Sequence, residues 1–263
     1  MIVDGKAIAT QILAEVKETV LSQEKTPRLT AITCAPNFET KKYLEMKRAK
    51  AAAVGIALTV IELPETVTEA EAIACVATVE KNTDGIVAQL PFPAHINKKR
   101  VLQAIPVEKD PDGFQYGQHP DACLSPVVGA IDEISARYDV SWAGKQVVVL
   151  GEGVLVGAPA AHYARSREAV VTVLTKETFS SKVLQSADII ISGVGQPHFI
   201  KSAMVKDGVV IFDAGTSEEG GVLAGDVDPV VSSKASLLTP VPGGIGPITI
   251  AYLLRNLVSL VRQ

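Results

Sequence analysis

The sequence predicts an α/β protein built from two doubly wound units, and two observations support this class. Short apolar runs typical of buried strands alternate with segments whose apolar residues recur every three or four positions, as in amphipathic helices. That alternation is typical of parallel sheets whose strands are joined by crossover helices. The segment 105–126, IPVEKDPDGFQYGQHPDACLSP, is rich in Pro, Gly and Asp without a sustained period, which predicts a domain connection there.

The first half of the chain is expected to supply three strands of one sheet. A helix opens at Asp4 and Gly5, and four of its apolar residues are spaced by four: Ile8, Ile12, Val16 and Val20. Strands are predicted over 29–34, 57–63 and 84–89, with helices over 40–54 and 66–80. The third strand stops at the sequence LPFP because prolines cannot donate to a strand ladder.

The second half of the chain predicts a Rossmann-type unit. Strands are expected after a helix over 127–137, at 146–150, 170–174, 188–192, 209–212 and 236–238. The final segment, 248–261, carries a helical apolar stripe that must dock on another surface, and we expect that surface to belong to the first domain. The predicted domains are 1–118 together with 245–263, and 119–244.

Composition and charge exclude several classes of protein. Hydrophobic residues make up 47% and charged residues 21% of the chain, as in folded globular proteins. A net charge of −4 gives no broad basic field, which argues against nucleic acid or an anionic membrane as the main partner. The cysteines are far apart, and neither a secretory leader nor an uncharged stretch of transmembrane length is evident, so we expect a cytoplasmic protein.

A glycine-rich turn follows the apolar run QVVVL. Gly151, Gly153 and Gly157 stand between a predicted strand and a helix, so backbone amides at the helix start are expected to face a dinucleotide pyrophosphate, although tight packing alone produces the same pattern. Lys176, about one strand further on, would neutralise a 2′-phosphate and points to NADP. Glu152 within the loop would repel that phosphate or accept a ribose hydroxyl. Charge alone leaves the choice between NADP and NAD open.

A second candidate site lies on the helix predicted over 40–54. Thr40, Tyr43 and Lys47 are spaced by three and four, so a hydroxyl, a phenol and an amine share one face. Burial or neighbouring positive charge would lower the pKa of Lys47 toward the range of a proton shuttle. Further basic residues nearby in sequence are Lys42, Arg48 and Lys50. A solvated basic helix without catalytic function has the same spacing.

Two further polar residues stand where α/β proteins bind small molecules. Gln89 ends a predicted buried strand, and Asp112 lies in the connecting segment, in the sequence DPDGF. Carboxyl ends of strands and inter-domain clefts are the usual binding sites, although either residue alone would also serve a turn. The four histidines have no ligand-like spacing, so no metal site is expected.

Seven segments in order resemble the bifunctional methylenetetrahydrofolate dehydrogenase/cyclohydrolase family over essentially the whole chain. YLEMKRAK is similar to the family's Y-x-x-x-K segment, DGIVAQLPFP to its DGILVQLPLP, and KDPDGF to its KDVDGF. GEGVLVGAP, GVGQP and AGDVD are similar to GRSxxVGxP, GxGxP and VGDV. PVPGGIGPIT, the most specific of the seven, is similar to PVPGGVGPMT.

The resemblance implies an amino-terminal three-layer α/β domain, a Rossmann domain, and a cleft between them that holds folate beside the nicotinamide. The implied reactions are oxidation of 5,10-methylenetetrahydrofolate with NAD(P) and hydrolysis of the methenyl product to 10-formyltetrahydrofolate. Lys47 would be the catalytic lysine, tuned by Gln89. Tyr43 would stack near the pterin, and Asp112 would bind its ring nitrogens. The remaining implied substrate positions are Thr40, Ala88, Leu90, Pro242, Gly243 and Gly244.

NADP is the cofactor that the resemblance implies, with NAD as the alternative. The implied cofactor positions are Gly151, Glu152, Gly153, Val156, Gly157, Lys176 and Thr216. Glu152 and Gly153 depart from a common Arg-Ser pair, and Lys176 stands where a serine is frequent. The resemblance further implies a homodimer formed through the Rossmann domain, and a role in one-carbon metabolism and purine biosynthesis.

Two alternative functions remain open from the sequence. A shikimate dehydrogenase-like enzyme has the same size and architecture, but it does not account for the PVPGGIGPIT segment. A catalytically weak folate- or nucleotide-binding protein is compatible with the altered cofactor loop.

Overall fold

A computed structural model describes residues 1–219 and 222–261 of the chain. The chain divides into two compact units. We call Thr10–Pro126 with Ile250–Gln263 the lysine unit, and Met1–Ala9 with Val127–Thr249 the glycine-loop unit. Residues 262 and 263, which end the predicted range 245–263, lie outside the described residues.

Helices and strands alternate along the chain as the apolar pattern predicts. The helices are α1 (Gly5–Leu21), α2 (Phe38–Ala53), α3 (Glu69–Val79), α4 (Lys98–Gln103), α5 (Pro126–Arg137), α6 (Gly157–Ser166), α7 (Ser181–Ser186) and α8 (Ile245–Val261). The strands are β1 (Arg28–Cys34), β2 (Ala57–Leu63), β3 (Gly85–Gln89), β4 (Gln146–Leu150), β5 (Val170–Leu174), β6 (Ile189–Ser192), β7 (Val210–Asp213), β8 (Ser217–Glu219), β9 (Val222–Ala224) and β10 (Leu237–Leu238). Among the described residues, no helix is long and apolar enough to cross a membrane.

The lysine unit is a three-layer sandwich around a parallel sheet of order β2-β1-β3. On one face, Ile32 and Ile86 pack in a buried cluster with residues of α3 and α4. On the opposite face, a Cβ placed on Gly85 would lie 2.5 Å from Leu257 Cδ1, so α8 packs directly on β3. This close contact between α8 and β3 requires glycine at position 85, because any side chain there would collide with Leu257.

The bounds of α2 are set by local chemistry. The side chain of Asn37 accepts a hydrogen bond from the backbone N–H of Thr40 at 2.8 Å, which caps the first turn of the helix. The helix ends before Gly55, which adopts a φ of +82° that a residue with a side chain rarely takes. The helix therefore begins two residues before the predicted position, inside the segment that precedes Thr40.

The glycine-loop unit has a five-stranded parallel sheet of order β10-β7-β6-β4-β5. Numbered within the unit, this is the doubly wound order 2-1-3-4-5, in which the chain reverses direction across the sheet between β4 and β6. Each predicted strand of this unit is confirmed within one residue at each end. The short β8–β9 hairpin was not predicted, because each strand has three residues and carries no apolar alternation.

The prediction that the last helix docks on the first domain is confirmed. From Ile250 onward, α8 belongs to the lysine unit, where Arg255 forms an ion pair of 2.7 Å with Glu15 of α1. The buried Asn256 donates from Nδ2 to the carbonyl oxygens of Pro111 at 2.9 Å and Leu124 at 2.8 Å. One side chain of α8 therefore anchors, by two hydrogen bonds, the segment that carries Asp112.

We expect Asn256→Ala to lower the free energy of unfolding by about 2 to 3 kcal/mol, because two carbonyl groups lose their donor. The matched control is Ser259→Ala on the exposed side of the same helix, which should change stability by less than about 0.5 kcal/mol. Urea denaturation followed by circular dichroism measures both. Equal stability of the two variants would contradict the structural importance of Asn256.

Candidate active site

Lys47 lies at the centre of a polar cluster in the lysine unit. Its side chain is only 6% exposed, although α2 is otherwise rich in solvated basic residues. The Nζ atom donates to Oε1 of Gln89 at 3.0 Å and lies 5.0 Å from the centroid of the Tyr43 ring. The interpretation of α2 as an entirely solvated basic helix is therefore wrong for this residue.

The carboxyl end of β3 fixes the amide partner of Lys47. Gln89 is the last residue of the strand, and its Nε2 donates to the carbonyl oxygen of Leu90 at 3.2 Å. The peptide bond between Leu90 and Pro91 is cis. Ala88, also predicted to bind substrate, has its side chain in the buried apolar cluster, which leaves its backbone as the part able to reach a ligand.

Thr40 and Asp112 complete the predicted group in this unit. Thr40 is buried on α2, in the turn that Asn37 caps. Asp112 is half-buried, and burial raises the pKa of its carboxyl above the usual value, while the positive charge of Lys47 acts in the opposite direction. The structure thus places an amine, an amide, a phenol and a carboxyl in one unit, with the amine hydrogen-bonded to the amide.

A second carboxyl, Asp110, was missed by the sequence reasoning. It is 1% exposed, and its Oδ1 is buried without a hydrogen-bond partner among the described residues. Burial and the charge of Asp112 raise the pKa of Asp110 to about 7. The same environment raises the pKa of the Cys123 thiol to about 11, through burial and the charge of Asp110. Two aspartates separated by one residue in KDPDGF are the sequence signal for such a pair.

The glycine loop of the other unit has the geometry expected of a dinucleotide site. Gly151 follows β4 with a φ of +85°, and a Cβ on Gly157, the first residue of α6, would lie 2.1 Å from the carbonyl oxygen of Gly151. A Cβ on Gly153 would meet nothing within 4 Å. The loop backbone at Gly153 is therefore open to a ligand, and a loop of this shape before a helix N-terminus suits a pyrophosphate.

The other predicted cofactor residues surround this loop at neighbouring strand ends. Glu152 and Lys176 are exposed. They follow β4 and β5, which pair in parallel and end with Leu150 opposite Leu174, so both residues lie at the same edge of the sheet. Val156 occupies the position before the first residue of α6 and packs against Gly193, the residue after β6. The exposed Thr216 follows β7, and its carbonyl oxygen would lie 3.8 Å from a Cβ on Gly195.

Pro242, Gly243 and Gly244 form a tight turn immediately before α8. The Val241–Pro242 peptide is cis, Gly243 has a φ of +106°, and the amide of Gly244 donates to the carbonyl oxygen of Pro240 at 2.7 Å. A Cβ on Gly5 would lie 1.8 Å from the carbonyl oxygen of Gly244, so the first turn of α1 packs on this segment. These three residues belong to the glycine-loop unit. Within the described ranges, no cluster of His, Cys, Asp or Glu has the arrangement of a metal site.

We expect Asp110→Asn to remove a pH dependence of stability. Because the pKa of Asp110 rises from 3.8 to about 7 on folding, the folded state binds its proton more tightly, and wild-type stability falls as pH rises from about 4 to about 7. The variant should gain stability relative to wild type over that interval, by at most about 4 kcal/mol. Denaturant titrations at several pH values measure this difference.

The control for that titration is Asp121→Asn, an exposed residue in the same segment, which should differ from wild type by less than about 0.5 kcal/mol at every pH. Parallel pH profiles for wild type and Asp110→Asn would contradict the assignment.

Comparisons with known proteins agree with this geometry. Residues 3–112 match the model of the tetrahydrofolate dehydrogenase/cyclohydrolase catalytic domain, and residues 126–263 match that of the NAD(P)-binding domain. The chain is 37% identical to the bifunctional protein FolD of Lacticaseibacillus casei, across 99% of this chain and 97% of that protein.

Two solved structures are similar over the full length. The bifunctional FolD of Campylobacter jejuni is 33% identical with a TM-score of 0.94, covering 100% of this chain and 98% of that one. The Trypanosoma brucei FolD, complexed with NADP cofactor and inhibitor, is 31% identical with a TM-score of 0.92, covering 100% and 97%. These matches do not favour the two alternative functions. The chain belongs to the tetrahydrofolate dehydrogenase/cyclohydrolase family.

Proposed function

We propose that the protein oxidises 5,10-methylenetetrahydrofolate to 5,10-methenyltetrahydrofolate with NAD(P) and hydrolyses the product to 10-formyltetrahydrofolate, with Lys47 as the catalytic lysine. The observation that carries the proposal is the 3.0 Å hydrogen bond between Lys47 and Gln89. A 6% exposed lysine held by an amide at a strand end has the setting of a proton-transfer group. The nicotinamide, when bound, supplies the hydride acceptor.

Lys47 transfers protons in the hydrolytic step. Water adds to the methenyl carbon and loses one proton, which leaves a hydroxyl on that carbon. The bond from the carbon to N5 then breaks as N5 takes up a proton, and the hydroxyl loses its proton to solvent as the formyl C=O bond forms, so that one proton is released overall. Lys47 accepts the first proton and returns it to N5, and Gln89 holds the amine in place by accepting a hydrogen bond. The methenyl substrate is a cation, so an uncharged Lys47 is the form that avoids like-charge repulsion.

The neighbours of Lys47 bind the pterin in this proposal. Tyr43, whose ring centroid lies 5.0 Å from Nζ, stacks near the ring system. Asp112 accepts hydrogen bonds from the pterin ring nitrogens, because a carboxylate suits adjacent N–H donors. The further residues assigned to folate binding are Thr40, Ala88, Leu90, Pro242, Gly243 and Gly244.

Lys47→Met should abolish the cyclohydrolase step, at least about a hundredfold, because the substitution keeps the chain length and removes the proton-transfer group. Decay of the methenyl absorbance, with spontaneous hydrolysis subtracted, measures this step. The control is Lys50→Met on the same helix, where the lysine is exposed and the rate should stay within about twofold of wild type. Full cyclohydrolase activity in Lys47→Met would overturn the assignment.

The glycine loop binds the dinucleotide, with NADP as the expected cofactor and NAD as the alternative. Support comes from the match to an NAD(P)-binding domain and from the Trypanosoma brucei structure with NADP. The residues assigned to this site are Gly151, Glu152, Gly153, Val156, Gly157, Lys176 and Thr216. Lys176 would neutralise the 2′-phosphate, whereas Glu152 opposes that phosphate.

We expect Glu152→Arg to raise the ratio of kcat/KM for NADP over NAD by about tenfold, because a guanidinium replaces a carboxylate beside the ribose. Rates and dissociation constants with each dinucleotide at equal concentration give the ratio for wild type and variant. The charge-matched control is Asp207→Arg, an exposed position of the same unit, which should leave the ratio unchanged. An unchanged ratio in Glu152→Arg would remove residue 152 from the ribose site.

Most of the folate-binding residues are assigned to the predicted domain 1–118 with 245–263, and the dinucleotide site is assigned to the predicted domain 119–244, which also contributes Pro242, Gly243 and Gly244 to folate binding. We also propose a homodimer formed through the glycine-loop unit, because Val222 and Leu223 of the β8–β9 hairpin are apolar and exposed.

A cytoplasmic location agrees with three unpaired cysteines, and the net charge of −4 disfavours nucleic acid as a partner. Supply of 10-formyltetrahydrofolate to purine biosynthesis is the corresponding role in one-carbon metabolism.

A further inference from the structure

Two sequence motifs, GVGQP and AGDVD, have no role in the reaction described so far, and the structure brings them together. Asp226 of AGDVD is fully buried. Its Oδ2 accepts hydrogen bonds from the hydroxyl of Ser192 at 2.6 Å and from the backbone N–H of Val194 at 2.9 Å. Its Oδ1 accepts from the backbone N–H of Gln196 at 2.8 Å. One carboxylate therefore holds the segment 192–196 by three donors.

The backbone packs closely around the carboxyl of Asp226. A Cβ on Gly215 would lie 2.2 Å from Asp226 Cγ, so the backbone of the neighbouring segment touches the carboxyl. A second buried carboxylate, Asp213 at the end of β7, accepts from the backbone N–H groups of Gly215 at 2.9 Å and Val227 at 2.9 Å. Burial, with the charge of Asp226, raises the pKa of Asp213 to about 6.

The segment that Asp226 holds is next to the glycine loop. It follows β6, which pairs with β4 at the point where the strand order reverses, and such points are where doubly wound sheets bind nucleotides. A Cβ on Gly193 would lie 2.6 Å from a methyl of Val156, and one on Gly151 would lie 3.3 Å from a methyl of Val194. The two loops are therefore in van der Waals contact.

We propose that Asp226 is a positioning residue for the dinucleotide: by holding 192–196 against the glycine loop, it fixes the shape of the second wall of the cofactor site. This inference rests on the proposed dinucleotide role of the glycine loop. A loop that is ordered before binding does not lose conformational freedom when the ligand arrives, so its ordering raises affinity. A carboxylate is needed because it accepts from all three donors at once, and an amide nitrogen in its place would face a donor.

The test compares Asp226→Asn with Asp228→Asn. Both change an aspartate of AGDVD to its isosteric amide, but Asp228 is near the surface, caps a short 3₁₀ helix and pairs with Lys201 at 3.0 Å. Calorimetry of NADP and NAD binding without folate is the main readout. Asp226→Asn should weaken the binding of both dinucleotides at least about tenfold. The KM for 5,10-methylenetetrahydrofolate should stay within about twofold of wild type. Asp228→Asn should leave all three values within about twofold of wild type.

Hydrogen exchange separates positioning from general stability. In Asp226→Asn the amides of Val194 and Gln196 should exchange faster, while those of β4 stay protected. Ser192→Ala, which removes one of three donors, provides a milder variant if Asp226→Asn does not fold, and it should weaken dinucleotide binding by about two- to fivefold.

Unchanged dinucleotide affinity in a folded Asp226→Asn, or in Ser192→Ala if Asp226→Asn does not fold, would overturn the proposal, as would equal losses of dinucleotide and folate affinity. Wild-type protein that binds dinucleotide but does not turn over 5,10-methylenetetrahydrofolate would refute the proposed reaction. The binding comparison would then still decide the role of Asp226.

Discussion

In the lysine unit, β1 and β3 pair in parallel with Thr33 opposite Gln89, so both strands end at the same edge of the sheet. The helix α2 begins four residues after β1 ends, which returns Lys47 to that edge, where it meets Gln89 at 3.0 Å. The glycine-loop unit repeats the arrangement, with Leu150 of β4 opposite Ser192 of β6. Parallel pairing thus decides which loops become neighbours, and the chemistry of both sites follows from it.

Most strands and the lysine helix could be predicted from the sequence because their signals are local. Runs such as QVVVL are apolar throughout and bounded by turn residues, which suffices to place a buried strand. The spacing of Thr40, Tyr43 and Lys47 predicts a shared helical face, although only the structure reveals that Lys47 is buried. The start of α2 at Phe38 could not be derived from apolar spacing, because a cap at Asn37 decides it.

The residues that sequence reasoning missed act through contacts distant in the chain. Asp226 is 34 residues from Ser192 in the chain. The residues around each of them give no indication that the carboxylate of Asp226 accepts hydrogen bonds from the segment that begins at Ser192. The hydrogen bond from Asn256 to the carbonyl oxygen of Pro111 joins residues 145 positions apart, so it too could not be predicted from local sequence. Asp110 is a different case, because its neighbour Asp112 is visible in the sequence, but its burial depends on how the segment 105–126 folds back on itself.

The charges around Lys47 follow from the same burial. Below about pH 7 the carboxyl of Asp110 keeps its proton, because burial and the charge of Asp112 both oppose ionisation. The positive charge of Lys47 then acts on the second carboxyl, Asp112, and lowers its pKa against the larger effect of burial. In the proposed reaction, a cationic methenyl substrate favours ionisation of Asp112, because a carboxylate offsets the positive charge of the substrate. The burial of Asp110 therefore leaves Asp112 as the carboxyl of the pair on which the positive charge of Lys47 acts.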